Sequence, residues 1–328
     1  MSEGRRELVA PHRRGEGGSR LIERIAVHAY RAGAWLIGHL PAAFARGLIR
    51  TVLVASYVLW PSKRRIVNDN LSHVLGRAAG DPEVRRQAIA AYATYAQYVV
   101  ELMRLPRLTN EAAAELVDTT NLLALEAWWR ENQRGIILTT AHIGNLEGVA
   151  RGIARHGWPI AALADDTSFP ELFEHLMRQR QSWGVNLIPW RNLREMYGVL
   201  RRNEVLTLLV DWGYRSDGIP VRLFGAWTTL PAGPAALAAK TGATIVHIAI
   251  RRAADGRRFI VTYSDRIEVA SSGPADLARA TQAIADALEK TIADAPEQWY
   301  SFKPLWPTTE SERVELAERA AAMLAQGA

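Results

Sequence analysis

"GIILTTAHIGNLEGVARG", residues 135–152, decides how this chain folds and where its chemistry lies. The run "GIILTTA", 135–141, has the length and β-branched composition of a buried strand. The next residues cannot continue as one regular helix holding both His142 and Glu147. Five residues of helix would turn the two side chains roughly 140° apart, onto different faces. The spacing therefore predicts a strand, then a loop carrying His142, then a helix whose first turn carries Glu147. Gly144 permits the sharp bend between them. In that geometry the Glu147 carboxylate is expected to reach back to one imidazole nitrogen and fix the tautomer, leaving the other nitrogen to take a proton. The unpaired amides at the helix start, around Gly144 and Asn145, are placed to bind an oxyanion or a phosphate. The alternative reading of His142 is a structural hydrogen-bonder.

Working outward, the apolar runs "IAALA" 160–164, "VNLIP" 185–189, "VLTLLVD" 205–211, "IPVRLF" 219–224, "TIVHIAI" 244–250 and "RFIVTY" 258–263 read as further buried strands. Helical stretches at 145–156, 170–183, 192–202 and 232–241 separate most of them. Strands alternating with helices predict an α/β fold: a single domain with a central, largely parallel sheet flanked by helices. The helix-free stretch 211–219 predicts a local antiparallel pair. Residues 82–105 and 109–132 read as two long helices, the second capped by Thr-Asn before Glu111. A further helix over 275–295 aligns Leu277, Ile284, Leu288 and Ile292 in one stripe.

The chain has 328 residues, of which 48% are hydrophobic and 23% charged, a balance that excludes wholesale disorder. Cysteine is absent, which excludes disulfides, thiolate metal sites and a cysteine nucleophile. Forty basic against thirty-four acidic residues, a net charge of +6, favour an anionic partner such as a lipid surface or a phosphorylated molecule. The first twenty residues, rich in glycine and arginine, read as a disordered basic tail without the pattern of a signal peptide. Residues 21–62 are apolar helical segments, broken at Pro41 and interrupted by Arg31, Arg46 and Arg50. They read either as a helical hairpin packed on the core or as a monotopic membrane anchor, with Trp35, Tyr57 and Trp60 available at headgroup depth. The basic "SKRR" that follows, 62–65, suits an anionic membrane surface. The organisation expected is tail 1–20, apolar segments 21–62, catalytic domain 63–310 and a C-terminal helix 311–328.

The other histidines lack a comparable carboxylate, and His247 reads as a core residue. There is no G-x-S-x-G elbow, no phosphate-binding G-x-x-x-x-G-K-[ST], no G-x-G-x-x-G and no H-E-x-x-H. A base without an enzyme nucleophile implies that the substrate supplies the attacking group, as when an alcohol attacks an activated acyl group. No metal or cofactor is expected, and a nucleic-acid partner is disfavoured because the arginines are dispersed and no nucleic-acid module is present.

"HIGNLE" resembles the H-x-x-x-x-[D/E] block of membrane glycerolipid and lipid A acyltransferases. With "KRRIVNDNLSHVLG" 63–76, "YAQYVVELMRLPRLT" 95–109, "MRQRQSWGVNLIP" 177–189, residues 208–243 and "PEQWYSFKPLWP" 296–307, the chain resembles the late lipid A (lauroyl/myristoyl) acyltransferase family. That family also includes the phosphatidylinositol mannoside acyltransferases of actinobacteria. The resemblance implies a glycerolipid-acyltransferase-like fold and transfer of a fatty acyl chain from an acyl-CoA or acyl-carrier protein to a hydroxyl of a glycolipid or phospholipid. The implied location is the cytoplasmic face of the inner membrane, with the protein monotopic or peripheral. His142 matches the catalytic base and Glu147 the acid of its motif. Asp211 matches a second carboxylate that partners the histidine in the mannoside enzymes, and Arg180 an arginine of the acceptor or phosphate region. Asp165, with Asp166, is a candidate for acceptor hydroxyls, and Asn145 for substrate. Trp212 stands where the family often carries an arginine, and "TTLPAGPAALA" 228–238 replaces the F-P-E-G-T-type block of glycerol-phosphate enzymes. The reading from a different class is a lipid-binding or scaffolding protein that keeps the fold without turnover.

Overall fold

The computed structural model describes residues 16–164 and 170–327. Seven strands form one sheet in the order β1 (Val117–Asp118), β9 (Phe259–Tyr263), β8 (Thr244–Arg252), β2 (Ile136–Thr140), β5 (Val205–Leu209), β3 (Ile160–Ala164) and β4 (Val185–Pro189). All neighbours are parallel except β8 and β9. The sheet is therefore largely parallel, as the alternating strands and helices predict. β6 (Ile219–Leu223) and β7 (Ala226–Leu230) form a separate antiparallel hairpin just beyond the 211–219 stretch.

β2 lies in the middle of the sheet and all five of its residues are buried. It pairs with β5 in the register Thr140 to Leu209 and with β8 in the register Thr139 to His247. A strand with partners on both edges and layers on both faces must be apolar throughout, which is why "IILTT" does not alternate. Its two threonines satisfy their hydroxyls internally, Thr140 by donating to the Ile248 carbonyl at 2.9 Å.

Helices cover both faces: α7 (Leu146–Arg155), α8 (Pro170–Gln181), α9 (Leu193–Arg201), α10 (Gly233–Thr241) and α11 (Pro274–Asp294). Within α11, Ile284, Leu288 and Ile292 are buried and Leu277 is half-buried, so the stripe read from sequence faces the core. α12 (Glu310–Gly327) closes the chain, and its Arg319 donates to the Ser216 and Gly218 carbonyls, tying down the segment after β5.

The long helix expected over 109–132 is instead two short ones, α5 (Asn110–Glu115) and α6 (Leu123–Asn132), with β1 and a 3₁₀ turn between them. Val117 is buried and paired with Phe259, and Asp118 accepts from the Thr120 amide at 3.0 Å. Sheet pairing and a local side-chain turn outcompete helix across Val-Asp-Thr-Thr.

Three more helices stand at the N-terminal side: α1 (Glu16–His39), α2 (Ala42–Leu59) and α3 (Pro61–Leu75), packed with α4 (Pro82–Arg104). Pro41 separates α1 from α2 as read, whereas α1 already begins at Glu16, inside the stretch expected to be tail. Arg104 of α4 donates to the Ile37 and Leu40 carbonyls at 3.0 and 2.8 Å, occupying acceptors that the end of α1 leaves open. α2 buries Tyr57 against α4 and exposes Phe44, Leu48, Val52 and Leu59 on its other sides, and Trp35 of α1 is exposed too. Among the described residues it is the one helix apolar and long enough to reach across a bilayer, by length and composition only, and it carries Arg46 and Arg50.

The "SKRR" segment enters α3, which Pro61 opens at its first turn and Gly76 closes in a left-handed conformation. α3 delivers Asn70 to the core, where it holds the segment 301–305. Its Nδ2 donates to the Ser301 carbonyl at 3.3 Å and the Lys303 carbonyl at 2.8 Å, and its Oδ1 accepts from the Leu305 amide at 3.0 Å. Asn70→Ala leaves these buried backbone groups unpaired and is expected to lower stability by about 2–4 kcal/mol. Urea unfolding would show this as a lower midpoint at unchanged slope.

Candidate active site

The C-terminal ends of β2 and β5 are adjacent, and each releases one candidate side chain there, where open α/β sheets build their sites. His142 follows β2 in the loop before α7, and Asp211 follows β5. His142 Nδ1 lies 2.8 Å from Asp211 Oδ1. The Asp211 carboxylate is fully buried and takes two further bonds on Oδ2, from the His142 backbone amide at 2.9 Å and from the Trp299 indole N–H at 2.8 Å.

This arrangement sets both protonation states. Burial acts to lower the His142 pKa, but the charge and hydrogen bond of Asp211 outweigh it and the net shift is upward. Burial would raise Asp211, yet the same contact with His142, together with Trp299, holds it below the ordinary carboxylate range. Because Nδ1 is committed to the carboxylate, Nε2 is the nitrogen available for proton transfer.

The loop holding His142 is clamped from the other side by residues 298–300. Gly144 donates to the Gln298 carbonyl at 3.1 Å and Tyr300 donates to the His142 carbonyl at 2.7 Å, with Ile143 and Trp299 bridged antiparallel between them. Gly144 has φ +63°, and a Cβ there would sit 2.9 Å from the Ile250 carbonyl oxygen, so both its conformation and its surroundings demand glycine. Beside His142 opens a cavity of about 230 Å³ lined mainly by Tyr95, Tyr98, Trp212, Tyr300, Phe302 and Lys303. Burial pushes the phenols of Tyr98 and Tyr300 far up, so both stay neutral. The Lys303 ammonium stands 3.5 Å from the centre of the Trp212 ring, whose centre is 5.7 Å from that of His142.

Glu147 does not reach the imidazole. It is in the first turn of α7 as expected, but its carboxylate forms a two-bond fork with Arg180 of α8, Nε to Oε2 at 3.0 Å and Nη2 to Oε1 at 2.7 Å. The reason is direction: Asp211 enters from the neighbouring strand and takes Nδ1, while Glu147 faces α8. Arg180 is buried, with its guanidinium 5.6 Å from the Trp183 ring, and is not a solvated helix charge.

Asn145 is also committed. Its Oδ1 caps α7 by accepting from the Gly148 amide, and its Nδ2 donates to Glu101, which pairs with Arg252. Of the anion-binding amides expected around Gly144 and Asn145, that of Gly144 is occupied by the Gln298 carbonyl, while those of Asn145, Leu146 and Glu147 have no partner among the described residues. Asp165 lies outside the described residues, as does Asp166. His247 is a core residue: Thr139 Oγ1 is 3.2 Å from its Nδ1, and burial pushes its pKa down to about 4.

Trp299, Tyr300, Lys303, Tyr95 and Tyr98 carry no assigned part in the sequence reading, although they fall within "PEQWYSFKPLWP" and "YAQYVVELMRLPRLT". The only signal in sequence is that these segments belong to the family pattern.

The chain matches the bacterial lipid A biosynthesis acyltransferase family over residues 17–308. It is 28% identical over 285 residues to the phosphatidylinositol mannoside acyltransferase of Mycolicibacterium smegmatis, covering 84% of this chain and 90% of that one. It is 28% identical over 305 residues to the Mycobacterium tuberculosis protein of the same name, covering 89% and 92%.

The Glu147–Arg180 fork predicts a non-additive pair. Arg180→Met strands a carboxylate whose side chain is 27% exposed, at an expected cost of about 2–4 kcal/mol. Arg180→Met combined with Glu147→Leu recovers much of that loss. Urea unfolding of the single and double variants checks the pairing, and a double variant no more stable than the single would refute it.

Proposed function

The chain belongs to the bacterial lipid A biosynthesis acyltransferase family and is an acyltransferase; from that premise we propose that it moves a fatty acyl chain from an acyl-CoA or acyl-carrier-protein thioester to a hydroxyl of a membrane glycolipid or phospholipid. The observation that carries the reading is the His142–Asp211 pair at the ends of two adjacent strands, opening on an aromatic cavity.

In this mechanism Asp211 holds the ring with Nδ1 protonated, and Nε2 takes the proton of the acceptor hydroxyl as its oxygen attacks the thioester carbonyl. The new C–O bond gives a tetrahedral oxyanion. It collapses with cleavage of the C–S bond, and the imidazolium returns its proton to the departing sulfur. The Asp211 carboxylate, buried beside the ring, stabilises the imidazolium formed between the two steps. Lys303 supplies positive charge to the cavity lining. Glu147 acts at a remove, fixing the first turn of α7 to α8 through Arg180.

The acceptor class follows the relatives, which are phosphatidylinositol mannoside acyltransferases. Membrane association, at the cytoplasmic face, is supported by the exposed apolar side chains of Trp35, Phe44, Leu48, Leu59 and Trp60 on neighbouring elements, interspersed with Arg46 and Arg50.

Purified protein incubated with palmitoyl-CoA, or an acyl-carrier-protein thioester, and a bacterial polar lipid extract is expected to yield a lipid heavier by one acyl group in mass spectrometry. His142→Ala is expected to reduce the rate by about 10²–10⁴-fold without unfolding the protein. A variant with unchanged turnover would remove His142 from the mechanism.

Asp211→Asn lowers kcat and also removes the charge that raises the His142 pKa. The ring protonates, and transfer fails, as pH falls through that pKa, so in the Asn variant the acid limb of kcat/KM moves to lower pH. A limb that stays in place would mean that Asp211 does not set the titration. Leu48→Glu with Leu59→Glu is expected to weaken co-sedimentation with phosphatidylglycerol vesicles, and full binding would locate the membrane contact elsewhere.

A further inference from the structure

We infer that Trp299 is a positioning residue of the active site, the third member of a His142–Asp211–Trp299 chain, in which its indole N–H orients the buried carboxylate that orients the histidine. The inference rests on the acyl-transfer reading for its catalytic consequence, but the hydrogen-bond chain itself is independent of that reading.

The geometry divides the work at Asp211. Oδ1 receives the imidazole Nδ1–H, and Oδ2 receives both the His142 amide and the Trp299 indole. Two of the three donors come from His142 itself, so without Trp299 the carboxylate would be held only by the residue it has to hold. Trp299 supplies the outside reference. It is 3% exposed, and its backbone is fixed by the bridge to Ile143, with the flanking Gln298 and Tyr300 bonded to Gly144 and His142. One short segment therefore aligns the histidine loop through its backbone and the carboxylate through a side chain. Phenylalanine or leucine would fill the same apolar space, but neither could donate to a carboxylate that has no access to water.

The N–H also matters electrostatically. Its positive end faces Oδ2, so it partly offsets the negative potential that Asp211 imposes on the imidazole. The other charged and titratable groups around His142 are Lys303 from the 301–305 segment, which acts to lower its pKa, and Tyr98 and Tyr300, which stay neutral. His247 on β8 is neutral, and the Glu147–Arg180 pair of α7 and α8 cancels its own charge. None of these replaces the Trp299 dipole.

The test is Trp299→Phe, which keeps an aromatic ring and removes the donor. With one donor fewer the carboxylate is more basic and its potential at the ring more negative, so the imidazolium is favoured. The ¹³C-histidine NMR titration of His142 is expected to move upward by about half a pH unit. The acid limb of kcat/KM should move upward with it, opposite to Asp211→Asn, and kcat should fall about tenfold. A purely structural Trp299 would change stability or kcat while leaving both titrations in place, and that result overturns the inference.

Should the Phe variant fold poorly, the wild type serves. The Trp299 Hε1 resonance, labelled with ¹⁵N, is expected to titrate together with His142 and to move upfield in Asp211→Asn. An indole resonance indifferent to both also overturns the inference. The NMR arm needs no substrate, so absence of acyl transfer by the wild type would refute the proposed reaction and leave the Trp299 test standing.

Discussion

A carboxylate with no solvent exposure is the constraint around which the rest of the site is arranged. An ionised Asp211 in the sheet's end would be prohibitively unfavourable without donors, and its three donors come from two distant parts of the chain, two from His142 and one from Trp299. The histidine arrives on the loop after β2, the carboxylate just past the end of the strand beside it, and the indole from a segment almost ninety residues downstream. Satisfying that one charge therefore requires β2 and β5 to be adjacent, the loop after β2 to turn at Gly144, and residues 298–300 to lie antiparallel to it. The same requirement fixes the tautomer, because a carboxylate at Nδ1 leaves only Nε2 to face the cavity.

A second ion pair does a different job, at the start of α7. Glu147 and Arg180 join α7 to α8 through two parallel bonds, and Asn145 joins the start of α7 to α4 through Glu101. Between them the first turn of α7 is held on two sides, one residue after the loop that carries the histidine. A spacing of five residues between His142 and Glu147 is thus a spacing between two anchors, with the histidine anchored to β5 and the glutamate to α8. Their proximity in sequence reflects a short loop, and they share no hydrogen bond.

Most of the architecture could be read from hydrophobic period alone. The strands and the helices between them emerge because a buried parallel sheet requires uninterrupted apolar runs and its crossovers require amphipathic stripes. What period cannot reveal is a contact whose partners are distant in the chain. The assignment of Glu147 to the imidazole was the natural local choice, but the parallel register of β2 and β5 places Asp211 closer. The Arg180 partner was invisible for the same reason. So was the part played by Asn70, since a buried asparagine reads as a surface residue until the segment 301–305 is seen wrapped around it. The break in 109–132 has a different cause: helix propensity there is respectable, and the edge of the sheet overrides it at Val117.

The substitution at Trp212 illustrates how one position is made good by another. Where an arginine often follows the acid in the family pattern, this chain places a tryptophan, and Lys303 stands over its ring. An ammonium 3.5 Å from an aromatic face is attracted by the ring's quadrupole and held in place at modest entropic cost. A positive charge thus lines the cavity from the C-terminal segment that Asn70 anchors. Its field and that of Asp211 act on His142 in opposite senses, one lowering and one raising its pKa. The net shift of the ring is upward, so the buried carboxylate held by Trp299 outweighs the ammonium and burial together.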